Sequence, residues 1–272
     1  MKIGNFEFDL ENRTAVVGIV NLTDDSFSGD GIGTDINKAL NIIKSFTDSG
    51  VDIIDIGAES TRPKSLYENV VEISEDQEIN RVSFLIEKLR KISDVPISID
   101  TRKSKVASAA VRVGANIIND ISMLNYDSKM IEVVKSADIP YILTHNKPLK
   151  NNDSVADQVK IDLVEKIDFL NANGIKNNKI IIDPGFGFNK SIDQNVELHR
   201  NLDQISEIGL PVLVGTSRKS FLGKIADNAS VSDREEVSMA SVIVSKEKGA
   251  KLFRVHDAVA VKNLLNFIEK LS

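Results

Sequence analysis

"KIIIDPGFGF", residues 179–188, decides the fold class. Ile180, Ile181 and Ile182 leave no polar face, so a strand here is covered on both sides. The apolar run stops at a carboxylate, Asp183, and the chain then turns through Pro184-Gly185. Strands of this kind belong to parallel sheets sheathed in helices. "PVLVG", residues 211–215, repeats the pattern. Working outward, β-branched runs recur at Ala15–Val20, Val51–Ile56, Pro96–Ile99, Asn116–Ile118, Tyr141–Leu143 and Ala250–Phe253. With Lys179–Ile182 and Pro211–Val214 they make eight.

Amphipathic stretches separate them, at Ile36–Ser49, Glu75–Ile92, Ser104–Val113 and Val155–Asn173. In the last, Val155, Val159, Ile161, Val164 and Ile167 repeat mostly at three- and four-residue steps. Gly50, Gly114, Gly174 and Gly249 stand where helices end before strands. Eight strand–helix units predict a single (β/α)₈ TIM barrel over residues 1–272, with 1–13 as a short N-terminal hairpin against the barrel bottom. An open doubly wound sheet would carry a G-x-G-x-x-G turn after the first strand, and none is there.

Composition narrows the function. The chain of 272 residues has no cysteine, so disulfides, thiolate metal sites and a cysteine nucleophile are excluded. Three histidines, His145, His199 and His256, argue against a multi-histidine metal centre. A net charge of −6 speaks against general nucleic-acid binding. No apolar stretch reaches the ~20 residues that span a bilayer, and the start "MKIGNFEFDLENRT" lacks the apolar core of a signal peptide. A soluble cytoplasmic protein is expected.

A barrel keeps its chemistry at the C-terminal ends of its strands. Those ends read "NLTDDSFSGDG", "DIGAESTRPKS", "SIDTRKS", "NDISML", "LTHNK", "DPGFGFNKS", "GTSRKS" and "FRVHDA". All eight are polar, whereas the opposite ends, such as "SDVPI", are ordinary. Single residues have plainer explanations: Thr101 and Ser104 as helix caps, Asp183-Pro184-Gly185 as a turn, His145 and His256 as core histidines. Asp55 and Asp100 are harder to set aside, because a carboxylate closing an apolar run must be paired or solvated. Lys219, Ser220, Arg254, His256 and Arg62 form a cation-rich half suited to an anion, facing a carboxylate half of Asp100 and Asp183 suited to N–H donors.

The same strings carry a resemblance. "GIVNLTDDSFSGDG", "DIGAESTRP", "SIDT", "INDIS", "DPGFGF", "SRKSFLG" and "RVHDA" are similar, in the same order, to the signatures of the dihydropteroate synthase family. The resemblance implies a folate-pathway transferase joining 6-hydroxymethyl-7,8-dihydropterin diphosphate to p-aminobenzoate and releasing diphosphate. It implies that Thr61, Asp100, Asn119, Asp183, Lys219, Arg254 and His256 bind the pterin diphosphate, with Asp183 on the amino-pyrimidinone edge and Arg254 over the ring. Lys219, Arg254, His256 and Asp100 would carry the catalysis. Thr61, Arg62, Pro63, Phe188 and Ser220 would shape the aminobenzoate site, and Asn21 would help hold Mg²⁺. A homodimer is likewise implied; Val242, Ile243, Leu264, Leu265 and Phe267 are candidate apolar surface for it or, equally, faces turned to the barrel.

Three positions depart from the family pattern. Asp24 replaces a proline, Ser28-Gly29-Asp30-Gly31 moves the first-loop aspartate by one place, and the fifth strand end reads Thr144-His145-Asn146 for Met-His-Met. The competing readings are a corrinoid-type methyltetrahydrofolate methyltransferase, which should lack the S-T-R-P loop and the S-R-K helix start, and a non-catalytic pterin-binding paralogue.

Overall fold

The computed structural model describes residues 1–23, 35–59, 73–150, 154–226, 230 and 234–271. Chain entry into the fold is a small antiparallel hairpin, β1 (Lys2–Ile3) and β2 (Phe6–Glu7). Eight parallel strands follow: β3 (Ala15–Asn21), β4 (Ile53–Gly57), β5 (Ile97–Asp100), β6 (Ile117–Asp120), β7 (Tyr141–Thr144), β8 (Ile180–Asp183), β9 (Leu213–Val214) and β10 (Leu252–Val255). Their order is β8-β7-β6-β5-β4-β3-β10-β9. The two ends meet: Ile182 bridges Val212, and its N–H donates to the Pro211 carbonyl at 2.9 Å. The sheet is therefore a closed (β/α)₈ barrel, as the sequence predicts.

Several strands run one residue further than their apolar stretch. Asp100, Thr144 and Asp183 stay in the ladder because backbone pairing does not depend on side-chain polarity. The helices are α1 (Ile36–Asp48), α2 (Glu75–Arg90), α3 (Ser104–Arg112), α4 (Met130–Ala137), α5 (Val155–Ala172), α6 (Ile192–Arg200), α7 (Leu202–Ser206), α8 (Ser220–Ile225), α9 (Glu235–Glu247) and α10 (Ala258–Leu271). Capping boxes start α2 (Ser74 with Gln77) and α6 (Ser191 with Gln194).

Two expectations are corrected. In α5 the buried stripe is Val155, Val159, Leu163, Ile167 and Leu170, while Ile161 and Val164 face outward. Both runs step by three and four, and packing chose the one with Leu163. Neither Thr101 nor Ser104 caps α3 with its side chain. The Thr101 hydroxyl donates to Glu78 at 2.8 Å and accepts from the N–H of Lys103, just before the helix, at 3.2 Å, and the Ser104 N–H is taken by Asp127 at 2.9 Å.

Side chains alternate along each strand, so two cores form. Val16, Ile54, Ile99, Leu143, Ile182 and Val255 face outward onto helix residues such as Phe46, Leu85, Leu163 and Val261. Val17, Ile53, Ile117, Ile142, Ile181, Leu213 and Leu252 fill the lower lumen, where Ile3 and Leu10 of the N-terminal segment join them. That segment closes the barrel bottom. Val242 and Leu265 are buried and belong to the barrel core, so they leave the list of candidate docking residues; Phe267 stays exposed.

Candidate active site

Two residues beyond the hydrocarbon floor, the same inward rows become polar. Ile53 leads to Asp55 and Gly57, Ile117 to Asn119, Ile181 to Asp183 and Leu252 to Arg254. The ladder sets Asn21 beside Gly57, Gly57 beside Asp100, and Asp100 beside Asn119. Gly57 has no side chain in this row, which leaves a notch. A Cβ there would stand 3.4 Å from the Asp100 Cβ and 3.5 Å from the Asn21 Oδ1.

Arg254 organises one half of the site. Its Nε donates to Asp55 Oδ2 and its Nη2 to Asp100 Oδ2, both at 2.7 Å. Asn119 Nδ2 donates to the other Asp55 oxygen at 3.3 Å. Asp55 is fully buried, so it needs this pairing. Asp100 is pushed up to about 7: burial raises it most, Arg254 pulls against that, and the nearby Asp55, Glu78 and Asp120 charges add to the rise. Burial alone would lower Arg254, but Asp55 and Asp100 more than offset it and hold the guanidinium charged.

Lys219 and Asp183 organise the other half. Asp183 closes a tight turn by accepting from the Gly185 N–H at 2.7 Å. The plain reading of this stretch as a turn therefore holds, and one carboxylate oxygen stays available to the lumen. Burial raises Asp183, against the pull of Lys219. Lys219 donates to the Phe186 carbonyl and stands 4.5 Å over the Phe188 ring. Burial depresses it to about 8, although Asp183 opposes the shift. Arg218, its neighbour, takes positive φ and turns to Glu235 of α9 at 2.7 Å. The two adjacent cations thus part company: one faces the lumen and the other braces a helix.

The remaining expected residues lie around this centre. Ser220 is exposed at the first position of α8. His256 Nδ1 is 3.0 Å from Ser217 Oγ, which also accepts from the His256 N–H at 3.2 Å. Asn21 is half-buried at the end of β3. Thr61, Arg62 and Pro63, and the shifted Asp24 and Asp30, lie outside the described residues. At the unusual strand-five end, Asn146 donates to the Ile121 carbonyl at 2.8 Å and accepts from Asn189 at 2.7 Å, tying neighbouring loops together.

Asp55 stands out as a site residue to which the sequence reading gave no role. Counting back two positions from Gly57 along the inward row would have placed it. Nearby, Lys103 pairs with Glu59 at 2.9 Å and with Glu78 at 2.7 Å, both buried, and Arg102 pairs with Glu59 at 3.1 Å. This network ties Glu59, just past β4, to α2 and to the start of α3.

A closed barrel with an apolar plug below and an acid–amide–cation cluster at the strand C-termini defines the class: a (β/α)₈-barrel enzyme with a polar site in the mouth of the lumen. The chain belongs to the pterin binding enzyme family, whose model matches residues 17–256, and within it to the dihydropteroate synthases. It is 43% identical over 260 residues to the dihydropteroate synthase of Clostridium beijerinckii, covering 95% of this chain and 94% of that one. The structure of the Xanthomonas albilineans enzyme in complex with 7,8-dihydropteroate is 34% identical with a TM-score of 0.85, covering 97% and 95%. That of the Yersinia pestis enzyme with a sulfonamide drug complex is 32% identical with a TM-score of 0.91, covering 100% and 98%.

Proposed function

We propose that this chain condenses 6-hydroxymethyl-7,8-dihydropterin diphosphate with p-aminobenzoate, giving 7,8-dihydropteroate and diphosphate. The observation that carries the reading is the buried cluster of Asp55, Asp100, Asn119 and Arg254 opposite Asp183 and Lys219, in a chain of this family. The free oxygen of Asp183 accepts from the N–H donors of the pterin edge. Asn119, with donor and acceptor on one amide, reads the next ring positions. The C–O bond to diphosphate breaks as positive charge develops on the pterin methylene. Asp55, Asp100 and Asp183 stabilise that charge from fixed positions in a largely buried site. Arg254, Lys219 and His256 stabilise the departing diphosphate. The aminobenzoate lies beside Phe188 with its carboxylate at Ser220, and its nitrogen forms the new C–N bond and releases its extra proton. No strong general base is needed, since a neutral arylamine is already nucleophilic.

Mg²⁺ fits this scheme only as a shared ion. Among the described residues there is no cluster of three or more His, Asp, Glu or Cys side chains able to hold a metal. Asn21 would supply a neutral oxygen at the rim, and the diphosphate and water would supply the other ligands. When bound, the ion offsets charge on the leaving group. A homodimer working in the cytoplasm completes the proposal; exposed Phe267 and Leu271 of α10 support an apolar contact face.

The test is diphosphate release from the pterin substrate with and without p-aminobenzoate. Release that depends on the arylamine is expected. Binding of the pterin without release would indicate a non-catalytic pterin protein, and methyl transfer from methyltetrahydrofolate would indicate the corrinoid-linked class. Either result overturns the proposal.

A further inference from the structure

Lys190 reads in sequence as an ordinary lysine in a polar turn, yet its amine is saturated by protein, and burial lowers it to about 7 against the pull of Asp183. Nζ donates to the carbonyls of Gly185 at 2.9 Å and Phe188 at 3.2 Å, and to His145 Nδ1 at 3.0 Å; the His145 carbonyl is 3.5 Å away. Three N–H bonds have found their acceptors. His145 is fully buried at the end of β7, and its Nε2 is 3.2 Å from Asp162 on α5. Asp162 is held below the usual carboxylate range and can only accept, so the ring proton belongs on Nε2 and Nδ1 is left as the acceptor for Lys190. Burial and the Lys190 charge hold His145 down at about 4, which keeps it the neutral acceptor this chain of bonds requires.

The other face of the same turn carries the site. Phe186 offers its carbonyl to Lys219, and Phe188 lies under the Lys219 ammonium. The turn has no slack: Gly185 has φ +72°, and a Cβ there would fall 1.8 Å from the His145 carbonyl oxygen. Gly187 is tied to Asn195 of α6 at 2.7 Å. One ammonium therefore grips the turn from behind while a second works from its front. Lys190 makes no hydrogen bond to Asp55, Asp100, Asn119 or Arg254.

We propose that Lys190, backed by His145 and Asp162, is a positioning residue that fixes the turn on which Lys219 and Phe188 are set for the condensation. This rests on the function proposed above. The experiment uses the absence of cysteine from the chain. Lys190→Cys introduces a single thiol, which 2-bromoethylamine converts to an ammonium of nearly lysine length and bromoethane converts to an apolar chain. Hydrogen exchange over residues 184–190 reads the turn, and steady-state kinetics read its consequence. In Lys190→Cys the Phe188 amide, bonded to Gly185 at 3.1 Å, exchanges at least about tenfold faster. The value of kcat/KM falls about 30-fold, the size of one lost charge-assisted hydrogen bond. Aminoethylation restores both to within about threefold of the parent, and ethylation restores neither.

Unchanged exchange in the turn, or equal recovery with either reagent, overturns the proposal. Should Lys190→Cys lose cooperative unfolding, Lys190→Gln, which keeps an N–H donor, takes its place; if that also fails to fold, Lys190 is a folding residue and the proposal is wrong. A parent protein that releases no diphosphate refutes the function, while the exchange measurement still judges the grip on the turn.

Discussion

Asp55→Asn separates the charge of the lumen cluster from its shape. The amide fills the same volume and can still accept from Arg254, but the carboxylate's charge-assisted bond at 2.7 Å is lost, and so is the charge beside Asp100. A hydrogen bond to a charged group contributes about 1.5–3 kcal/mol, so the variant should be less stable by that amount. The effect on Asp100 is more discriminating. Its value of about 7 has burial as the main cause and Asp55 among the charges that raise it, while Arg254 lowers it. In the variant the raising charge is gone and Arg254 is left to Asp100 alone, so both changes move Asp100 down. The sign for stability follows. A carboxyl raised in the folded state contributes stability below its unfolded value and loses it as pH rises towards 7. The variant loses less across that window, so the gap to the parent narrows by about 1.4 kcal/mol for each unit that Asp100 falls. Urea unfolding at several pH values between about 4 and 8 measures the gap. A gap that stays constant or widens with pH refutes the placing of Asp55 among the charges that raise Asp100.

Lys219 sits at about 8, so kcat/KM for the pterin diphosphate should fall as pH rises through that value and the ammonium is lost; in Lys219→Arg the limb should disappear from the pH profile even if turnover is lower. Arg218→Ala breaks a partly exposed pair with Glu235, costing about 0.5 kcal/mol and leaving turnover within about twofold in the same assay. In Asp183→Asn the amide oxygen can keep the Gly185 bond but turns an NH₂ towards the donors of the pterin edge, so calorimetry should show affinity for the pterin diphosphate reduced about 30-fold or more. Mg²⁺ should bind the free protein weakly and bind tightly once diphosphate is added; tight binding to the protein alone would argue against Asn21 acting as a single neutral ligand.

The polar lumen was largely legible because its residues close short β-branched runs: Asp100, Asn119 and Asp183 each follow an isoleucine at the end of such a run and mark the strand ends by position alone. What could not be read was pairing. Arg254 meets Asp55 across 199 positions and Asp100 across 154, and no local pattern encodes such a meeting. Burial of charge was equally hidden. Glu78 in α2 looks like a solvated helix acid until Lys103 and Thr101 are brought to it, and Lys190 looks like a turn lysine until the carbonyls of its own turn fold back on it. Helix faces were ambiguous wherever two apolar stripes competed, as in α5.

The inward rows tie the chemistry to parity. On β8, odd positions 181 and 183 see the lumen, and even positions 180 and 182 see the helices. Moving that strand by one residue would put Ile182 where Asp183 stands and press the carboxylate into hydrocarbon. In an open sheet one edge strand could slip alone. In a closed ring every strand has two partners, so a slip anywhere must be absorbed all the way round. Insertions and deletions should therefore be survivable in the connections between strands and helices, yet inside any one of the eight strands a single added residue should cost fold and activity together.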